Sequence, residues 1–444
     1  MERRYMQYFQ ERAAVELSEY HDAPFWNKQV LQVSHLHPAV RHCLVAIASL
    51  HESLHQGQGL SASSLMNKEM TFSLQQYNKA INLLTVHWRH IRTTRSTNGS
   101  YFDEDVAASL DKIMQRLQYQ YSTFIEAEDT VSSFIEPGPT SPDLLEDPNI
   151  SPTFTDLYHA RQNLDLALEW EFHAMQLLLS STDTTARHKI LSKITRNLRR
   201  WYTTFDTFLT QSRHRHDSNF QRASITVKIH ATCAVILPYT LASNLETTFD
   251  RFTPQLDFIV AESQRFLSLD HRPHSQILFT FDLGIIPPLY LVACRSRDPR
   301  LRRRAISLLK LSNRREGVWD SNTASRLSER ILAIEEQGMP NIHSCTDIPE
   351  SHRIRLVATN AHPDNGKLEL YYIRAPFDTK TCPVEKDCTI WDEDKAKTFK
   401  SSEKDEGDVR FWNSIYTATF SANGASQGLG KDVLREEKER KGSS

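Results

Sequence analysis

The sequence predicts an all-α protein made of stacked antiparallel helix pairs, similar to an α-solenoid, with a small β-hairpin and a mobile tail at the C-terminus. Two observations carry this prediction. Up to Pro340, apolar residues recur at three- and four-residue spacing over long segments, which is the helical period. Glycine is scarce, at 13 of 444 residues, about half its average use, which argues against many-turned sheets and Gly-rich phosphate loops.

The N-terminal part of the chain is predicted to consist of helices joined by loops. A first helix runs from Glu2 to Glu19, and a second begins at Pro38, whose fixed φ and missing N–H suit a first helical turn. The Pro38 helix carries an apolar stripe formed by Val40, Cys43, Leu44, Ile47, Leu50 and Leu54. The helix from Lys68 to Ile91 carries a seam typical of antiparallel helix packing, formed by Leu74, Tyr77, Ile81, Leu84, Trp88 and Ile91. A further helix is predicted from Glu104 to Phe134.

A proline-rich linker divides the helical part in two. Residues 136–153 contain five prolines among acidic and small residues and separate an N-terminal lobe, residues 1–135, from a C-terminal lobe, residues 154–340. In the C-terminal lobe, helical stripes predict helices near residues 157–179, 190–208, 225–241 and 254–269.

The character of the chain changes after Pro340. Alternating apolar residues from Lys367 to Arg374, preceded by the turn-forming segment His362 to Gly366, predict a β-hairpin within residues 341–400. Residues 401–444 are predicted to be a largely disordered tail, because their charged stretches bury little apolar surface.

Charge and cysteine spacing limit the possible functions. The formal charge is −2, so the molecule as a whole is not an electrostatic partner for nucleic acid. The six cysteines lie far apart, and no Cys-x-x-Cys pair occurs among Cys43, Cys233, Cys294, Cys345, Cys382 and Cys388. The sequence therefore predicts no zinc cluster within these residues, and free reduced thiols of an intracellular protein.

Neither secretion nor a membrane span is predicted. The chain starts as a polar helix, without an apolar segment before a cleavage site. The longest apolar run, from Ile277 to Cys294, is interrupted by Asp282, Gly284 and the Pro287-Pro288 pair, which indicates buried helices on either side of a break.

Two stretches of the chain contain sequence motifs that are specific to one family. Residues 8–54 combine a Phe-Trp pair, a Gln-x-Ser-His segment, a proline, an Arg-His pair and a Leu-His-Glu helix end, which are Phe25, Trp26, Gln32, Ser34, His35, Pro38, Arg41, His42, Leu50, His51 and Glu52. Residues 284–321 combine a Pro-Pro-Leu segment, a Cys-Arg-x-Arg-Asp-Pro segment and an Arg-Arg-Glu-Gly-Val-Trp-Asp turn, which include Pro288, Cys294, Arg295, Arg297, Asp298, Pro299, Arg314, Arg315, Glu316, Gly317 and Trp319. In both stretches the chain resembles the C-terminal regulatory region, the fungal-specific transcription factor domain, of fungal binuclear zinc-cluster transcription factors.

That resemblance implies a transcription regulator that is nuclear or shuttles between nucleus and cytoplasm. It implies protein partners, either an intact zinc-cluster factor or a second copy, and control of a metabolic gene cluster. In the family the zinc cluster reads DNA, so we expect no direct DNA binding by these residues. Two interpretations stay open: a co-regulator without a cluster, or a factor completed by an upstream segment with six closely spaced cysteines. An αα-repeat scaffold or adaptor with no role in transcription is the alternative from another class.

An arginine-rich segment is the candidate binding feature. A nuclear-import or phosphate-binding patch would consist of Arg300, Arg302, Arg303, Arg304, Arg314 and Arg315. The alternative is a helix whose Leu301, Ala305, Leu308 and Leu309 face inward, with arginines that are solvated or paired with carboxylates elsewhere. We favour the alternative.

Catalytic and metal-binding patterns are absent from the sequence. It lacks Gly-x-Ser-x-Gly, His-Glu-x-x-His, Gly-x-x-x-x-Gly-Lys-Ser/Thr and Gly-x-Gly-x-x-Gly. The 19 histidines, including the group His35, His37 and His42, lack a Glu-x-x-His pattern on facing helices. The sequence therefore predicts no enzyme, no cofactor and no metal site.

Overall fold

A computed structural model describes residues 1–18, 25–55, 68–93, 146–270, 277–280, 282–317, 319–362, 367–377 and 382–390. In these ranges the protein is mostly helical and has two three-stranded sheets, so the predicted fold class is confirmed. Three predictions lie outside the described residues: the helix from 104 to 134, most of the linker and the tail from 401 to 444.

The chain divides into two compact units that are each discontinuous in sequence. The described parts of Met1–Leu117, Arg272–Gly284 and Asn313–Asp320 form the first unit. The described parts of Gln118–His271, Ile285–Ser312 and Ser321–Ser444 form the second unit.

The helices of the first unit follow the predicted order. They are α1 (Glu2–Tyr8), a π-helical turn (Phe9–Ala13), α2 (Ala14–Ser18), a second π-helical turn (Phe25–Gln29), α3 (Val30–Leu36), α4 (Pro38–His55) and α5 (Lys68–Thr93). His37 is extended, with φ −118° and ψ 104°, because the residue before a proline is excluded from the helical region. The break between α3 and α4 is therefore set by Pro38.

Aromatic side chains make up much of the first unit's core. Tyr5, Phe9, Phe25 and Trp26 are buried there together with Leu44. The rings of Phe25 and Trp26 meet edge to face with centroids 5.0 Å apart, and Phe9 lies 6.4 Å from Trp26. Rings of this size bury more apolar area than any other side chain, so the Phe-Trp pair anchors this core.

Helix α5 packs on α4 with a different face from the predicted one. The seam residues Leu74, Tyr77 and Ile81 are 51%, 53% and 41% exposed, while Ser73, Gln76 and Ala80 are buried. Ser73 Oγ donates to the carbonyl of Ala46 at 2.7 Å, and Gln76 Oε1 lies 2.6 Å from His42 Nδ1. The prediction was wrong here because small and polar residues allow a close, hydrogen-bonded approach that hydrophobic periodicity does not reveal. The side chains of the other seam positions lie outside the described set.

A small sheet completes the first unit. Strand β1 (Leu278–Thr280) pairs in parallel with β2 (Arg314–Glu316), and β2 pairs antiparallel with β3 (Trp319–Asp320). Phe279 joins the aromatic core, and Thr280 Oγ1 donates to the carbonyl of Leu17 at 3.4 Å. The sequence analysis assigned these residues to the C-terminal lobe and predicted a buried helix before the break at Asp282. In the structure, Leu278–Thr280 is a strand, and all three strands belong to the first unit. Strands of two or three residues are too short to show an alternating pattern.

The second unit is built mainly from seven helices among the described residues. They are α6 (Leu157–Ser180), α7 (Thr184–Gln211), α8 (Ser218–Leu241), α9 (Thr253–Ser268), α10 (Ile286–Arg295), α11 (Pro299–Ser312) and α12 (Ser321–Glu335). Asp156, Asp183 and Asp217 precede the first three helices. The carboxylates of Asp156 and Asp217 each accept one backbone N–H of the first turn, and that of Asp183 accepts two. These aspartates define the helix starts, because they satisfy donors that have no partner within the helix.

The described end of the predicted linker belongs to the packed structure. Ile150 is buried with Phe154 in a core that includes Trp201 and Phe205. Trp170 Nε1 donates to the carbonyl of Glu146 at 2.5 Å. Residues 146–153 are therefore held against α6 and α7.

Helix α8 has the length and apolar composition of a membrane span. In its most apolar window, 61% of the residues are buried inside the protein. This burial is what the core helix of a folded unit requires, so α8 is weak evidence for a membrane span. Among the described residues it is the one helix that meets these criteria.

The second sheet confirms the predicted hairpin and extends it. Strands β4 (Ile354–His362) and β5 (Lys367–Arg374) pair antiparallel up to His362 and Lys367, and β6 (Glu385–Ile390) adds a third antiparallel strand. Arg330 of α12 makes a two-pronged ion pair with Asp387 of β6, with the shortest distance 2.6 Å. The sheet is thereby attached to the helices of the second unit.

Candidate functional site

Two histidines and a glutamate converge in the first unit. His51 and His55 lie one turn apart on α4, so both imidazoles project from the same face of the helix. Glu16 comes from α2, and its Oε2 lies 2.5 Å from His55 Nε2 and 3.3 Å from His51 Nε2. The His51 side chain is fully buried and that of His55 is 7% exposed. We call these three residues the His-Glu cluster.

The Nδ1 atoms of both histidines contact neighbours near the N-terminus, Tyr8 at the end of α1 and Arg12 in the first π-helical turn. Tyr8 Oη lies 3.1 Å from His51 Nδ1, and Arg12 Nη2 lies 3.3 Å from His55 Nδ1. Arg12 Nε also donates to Glu16 Oε1 at 3.0 Å. A carboxylate, two imidazoles, a phenol and a guanidinium therefore share one partly buried site.

Burial and charge shift the proton affinities of the His-Glu cluster. Burial alone would raise the pKa of Glu16, but its close polar contacts with His51, His55 and Arg12 outweigh burial and hold that pKa well below its usual value. Burial lowers the pKa of His51, against a smaller opposing effect of Glu16. Burial also raises the pKa of Tyr8 to about 12. The cluster thus combines a charged carboxylate with an imidazole that favours its neutral form.

Sequence reasoning did not single out the His-Glu cluster. It considered His51 only as part of the Leu-His-Glu helix end, and it weighed the histidines for a Glu-x-x-His pattern on facing helices. The signal that was available is the i, i+4 spacing of His51 and His55 on the predicted Pro38 helix. The contribution of Glu16 depends on how α2 packs against α4, which spacing along the chain does not encode.

A buried ion network forms the centre of the second unit. Glu246 accepts from Arg295 at 2.8 Å, from Arg297 at 3.2 Å and from Arg355 at 2.7 Å. Glu335 accepts from Arg297 at 2.6 Å and pairs with Arg302 at 2.7 Å. Glu335 also accepts the backbone N–H of Ile354 at 2.9 Å.

The two glutamates of this network stay charged. Burial alone would raise the pKa of Glu246, but Arg295, Arg297 and Arg355 lower it to about 2. The pKa of Glu335 is lowered for the same reason, with Arg297 and Arg302 outweighing burial. Buried charges of this kind are stable only when each has a partner of opposite sign.

The Arg-x-Arg-Asp-Pro segment acquires a structural explanation from these contacts. Arg295 and Arg297 enter the ion network, and Asp298 Oδ1 accepts the backbone N–H groups of Arg300 and Leu301 at 2.9 and 3.0 Å. Pro299 occupies the first position of α11, where its missing N–H costs no hydrogen bond. The segment therefore joins a buried charge network to a capped helix start.

The first unit also contains a buried glutamate that is paired with an arginine, Glu316, which contacts Gly284 and Arg314. The backbone N–H of Gly284 donates to Glu316 Oε2 at 2.9 Å, and Arg314 Nε donates to Glu316 Oε1 at 2.9 Å. Arg314 and Glu316 are both fully buried. A Cβ on Gly284 would collide with the Glu316 carboxylate, so any other residue here would require this buried, hydrogen-bonded side chain to move.

The candidate basic patch is not one surface. Arg302 and Arg314 are fully buried, because each is paired with a buried glutamate, and this corrects the prediction for these two residues. Arg300 is 90% exposed. The exposed Arg303 pairs with Glu336, and the exposed Arg304 donates to Gln264, while Arg315 is intermediate in exposure. Leu301, Ala305, Leu308 and Leu309 are all buried, as the favoured alternative requires.

The remaining signature residues occupy both the interior and the surface. Phe25, Trp26, Pro288 and Trp319 are buried. His35, Pro38 and Arg41 are exposed. His42 is intermediate in exposure and approaches Gln76. The buried residues of the two stretches thus either pack in a core, as Phe25 and Trp26 do, or form buried ion pairs, as Arg297 does.

Comparison with known proteins finds a family model that matches the N-terminal part of the chain. Residues 4–118 match the family model described as the fungal-specific transcription factor domain, which confirms the resemblance for this segment. The aspercryptin biosynthesis cluster-specific transcription regulator atnN of Emericella nidulans is 41% identical over 103 residues, which cover 22% of this chain and 16% of that protein. The match thus spans only a small part of this relative's length. No solved structure matches the chain significantly.

Proposed function

We propose that this chain is a regulatory part of a transcription regulator of the fungal zinc-cluster type and that it controls a biosynthetic gene cluster. The observation that carries the proposal is the match of residues 4–118 to the fungal-specific transcription factor domain. The name of the similar protein, a cluster-specific regulator of aspercryptin biosynthesis, supports control of a gene cluster.

The architecture supports a regulatory role more than a chemical one. Phe25 and Trp26 of the first stretch pack in the core of the first unit. Arg295 and Arg297 of the second stretch pair with buried glutamates in the second unit. Such residues fix the shape of helices that can present surfaces to other proteins. We propose protein partners accordingly, with an intact zinc-cluster factor or a second copy of this chain as the candidates.

A nuclear location is part of the proposal, because transcription factors of this family act there. The surface arginines Arg300, Arg303 and Arg304 are the candidates for an import signal. Replacing all three by alanine in a fluorescently tagged chain should then shift it to the cytoplasm. Nuclear accumulation that is equal to that of the unmodified chain would contradict the import role of these arginines but not the regulatory function.

Deletion of the gene tests the function directly. We expect the transcripts of a contiguous set of biosynthetic genes to change together in the deletion strain, and to return when the unmodified chain is supplied from another locus. A matched control supplies the chain with Gly284→Leu, which should abolish rescue by disrupting the first unit. Unchanged transcripts in the deletion strain under conditions where the gene is expressed would refute the proposal.

The αα-repeat scaffold is not favoured by the comparisons, since both matches lead to transcription regulation. Isolation of the tagged chain with its bound proteins separates the two functions. Recovery of a zinc-cluster factor supports the regulator, whereas exclusively cytoplasmic partners in every growth condition would support the scaffold.

A further inference from the structure

We propose that Glu16, His51 and His55 bind one divalent transition-metal ion, with Zn²⁺ as the best fit. The site would be a property of this chain beyond gene regulation, and it differs from a cysteine-rich zinc cluster in both ligands and location. It is argued from the geometry of the His-Glu cluster alone.

The donor atoms are of the right kind and at suitable separations. Two imidazole nitrogens and one carboxylate oxygen are a ligand set that zinc uses in proteins, with a fourth position left for water. Metal–ligand distances of about 2.0–2.1 Å in a tetrahedral site place neighbouring donors about 3.3 Å apart. Glu16 Oε2 and His51 Nε2 are already 3.3 Å apart. All three donor atoms lie within 4.8 Å of one another.

One donor atom lacks a good hydrogen bond without a cation. His51 Nε2 is buried and makes no hydrogen bond of acceptable geometry, although it faces the Glu16 carboxylate. If His51 Nδ1–H donates a hydrogen bond to Tyr8 Oη, the lone pair of Nε2 points at the lone pairs of Glu16. A cation between the two atoms turns that repulsion into two metal bonds. A ligating histidine commonly gives its other N–H to an oxygen, which is the position of Tyr8 Oη at 3.1 Å.

The second histidine has to exchange a hydrogen bond for the metal. Arg12 can only donate, so the 3.3 Å contact of its Nη2 makes His55 Nδ1 an acceptor and leaves the proton on Nε2. That proton is donated to Glu16 Oε2 at 2.5 Å. Metal binding requires the proton to move to Nδ1, where Arg12 must release the ring, and requires Glu16 to move back by about 0.8 Å from His55 Nε2 to reach tetrahedral spacing. Arg12 is therefore a competitor of the metal.

This competition predicts opposite effects for neighbouring residues. Removing a ligand should weaken metal binding, while removing Arg12 should strengthen it, because a positive charge and a competing donor are both lost. A site made of chance surface histidines would not respond to Arg12. The sign of the Arg12 effect thus separates this site from adventitious binding.

Zinc titration of the full chain, freed of metal by chelation and dialysis, provides the test. We expect one Zn²⁺ per chain after dialysis against metal-free buffer, and a higher midpoint of thermal unfolding with Zn²⁺ than without it. His55→Ala and Glu16→Gln should each lower the affinity at least tenfold, and Arg12→Gln should raise it several-fold. His35→Ala, which removes an exposed histidine outside the cluster, is the matched control and should leave the affinity unchanged.

Two outcomes would overturn the proposal. One is a wild-type chain that retains no Zn²⁺; the other is Zn²⁺ that binds equally well to folded His55→Ala and Glu16→Gln. Circular dichroism establishes that each variant is folded, and the partly exposed Glu16 keeps the test available should His55→Ala not fold. Co²⁺ in place of Zn²⁺ gives an independent readout, because a tetrahedral site produces strong visible absorption that Glu16→Gln should weaken.

Discussion

Glu246 offers the sharpest test of the buried ion network. Glu246→Gln keeps the size of the side chain and removes its charge, which leaves Arg295, Arg297 and Arg355 facing an amide. The network lowers the pKa of Glu246 from 4.5 to about 2. At about 1.4 kcal/mol per pKa unit this corresponds to about 3 kcal/mol of stabilisation of the folded second unit. The uncompensated buried arginines place the expected loss at the upper end of about 3–5 kcal/mol.

The same numbers fix the pH dependence. Because the folded-state pKa is the lower one, this stabilisation is fully present above pH 4.5 and is lost as the pH falls towards 2. The unmodified chain should therefore lose about 3 kcal/mol of second-unit stability in that window through Glu246. Glu246→Gln should show a flatter dependence there, since it has no proton to take up at this position.

Urea unfolding at pH 7, 4.5 and 3 measures this effect. Hydrogen exchange of peptides from α10 and α12 serves as the readout, so that only the second unit is observed. Glu329→Gln is the matched control, because Glu329 lies on α12 in an exposed pair with Lys310. That pair should contribute less than about 1 kcal/mol. Equal losses in the two variants at pH 7, or an unchanged acid dependence in Glu246→Gln, would refute the reasoning.

Three further substitutions test local features. Gly284→Ala should destabilise the first unit by about 1–3 kcal/mol in urea unfolding, because its Cβ collides with the buried Glu316 carboxylate; an unchanged midpoint would contradict this packing. Glu171→Gln should stabilise the second unit at pH 8 but not at pH 4, because burial raises the pKa of Glu171 above 4.5, so the native state loses stability as that carboxyl ionises at rising pH. Asp298→Ala should cost about 1 kcal/mol in thermal unfolding through loss of the α11 cap, whereas Asp298→Asn should cost little.

Helix positions could be predicted from the sequence because their causes are local. Pro38 determines where α4 begins, and Asp156 and Asp183 cap α6 and α7 through backbone atoms two or three residues away. The hairpin of β4 and β5 was equally accessible, since alternation and a turn-forming segment lie next to each other in the chain. Each of these features needs information from only a few neighbouring residues.

Features that join distant residues could not be predicted in the same way. The buried face of α5 depends on Ser73 and Gln76 finding partners on α4, and this hydrogen bonding outweighed the apolar seam. Strand β1 pairs with β2, although two helices, α10 and α11, lie between them in the sequence. The His-Glu cluster likewise needs Glu16 and His55 to meet across 39 positions.

The arginine-rich stretch within residues 284–321 shows that the binding role suggested by a sequence pattern can differ from the role its residues have in the structure. An arginine-rich segment invites an interpretation as a surface for phosphate or for import factors, and Arg300 retains that possibility because it is exposed. Arg297 and Arg302 show why the pattern alone is not enough, since both are fully buried and both pair with Glu335. Neither can reach a ligand without breaking this pairing and leaving the Glu335 charge uncompensated in the interior. A loss of regulation after mutation of Arg297 or Arg302 would therefore report first on the folding of the second unit, and only variants of the exposed arginines can report on binding.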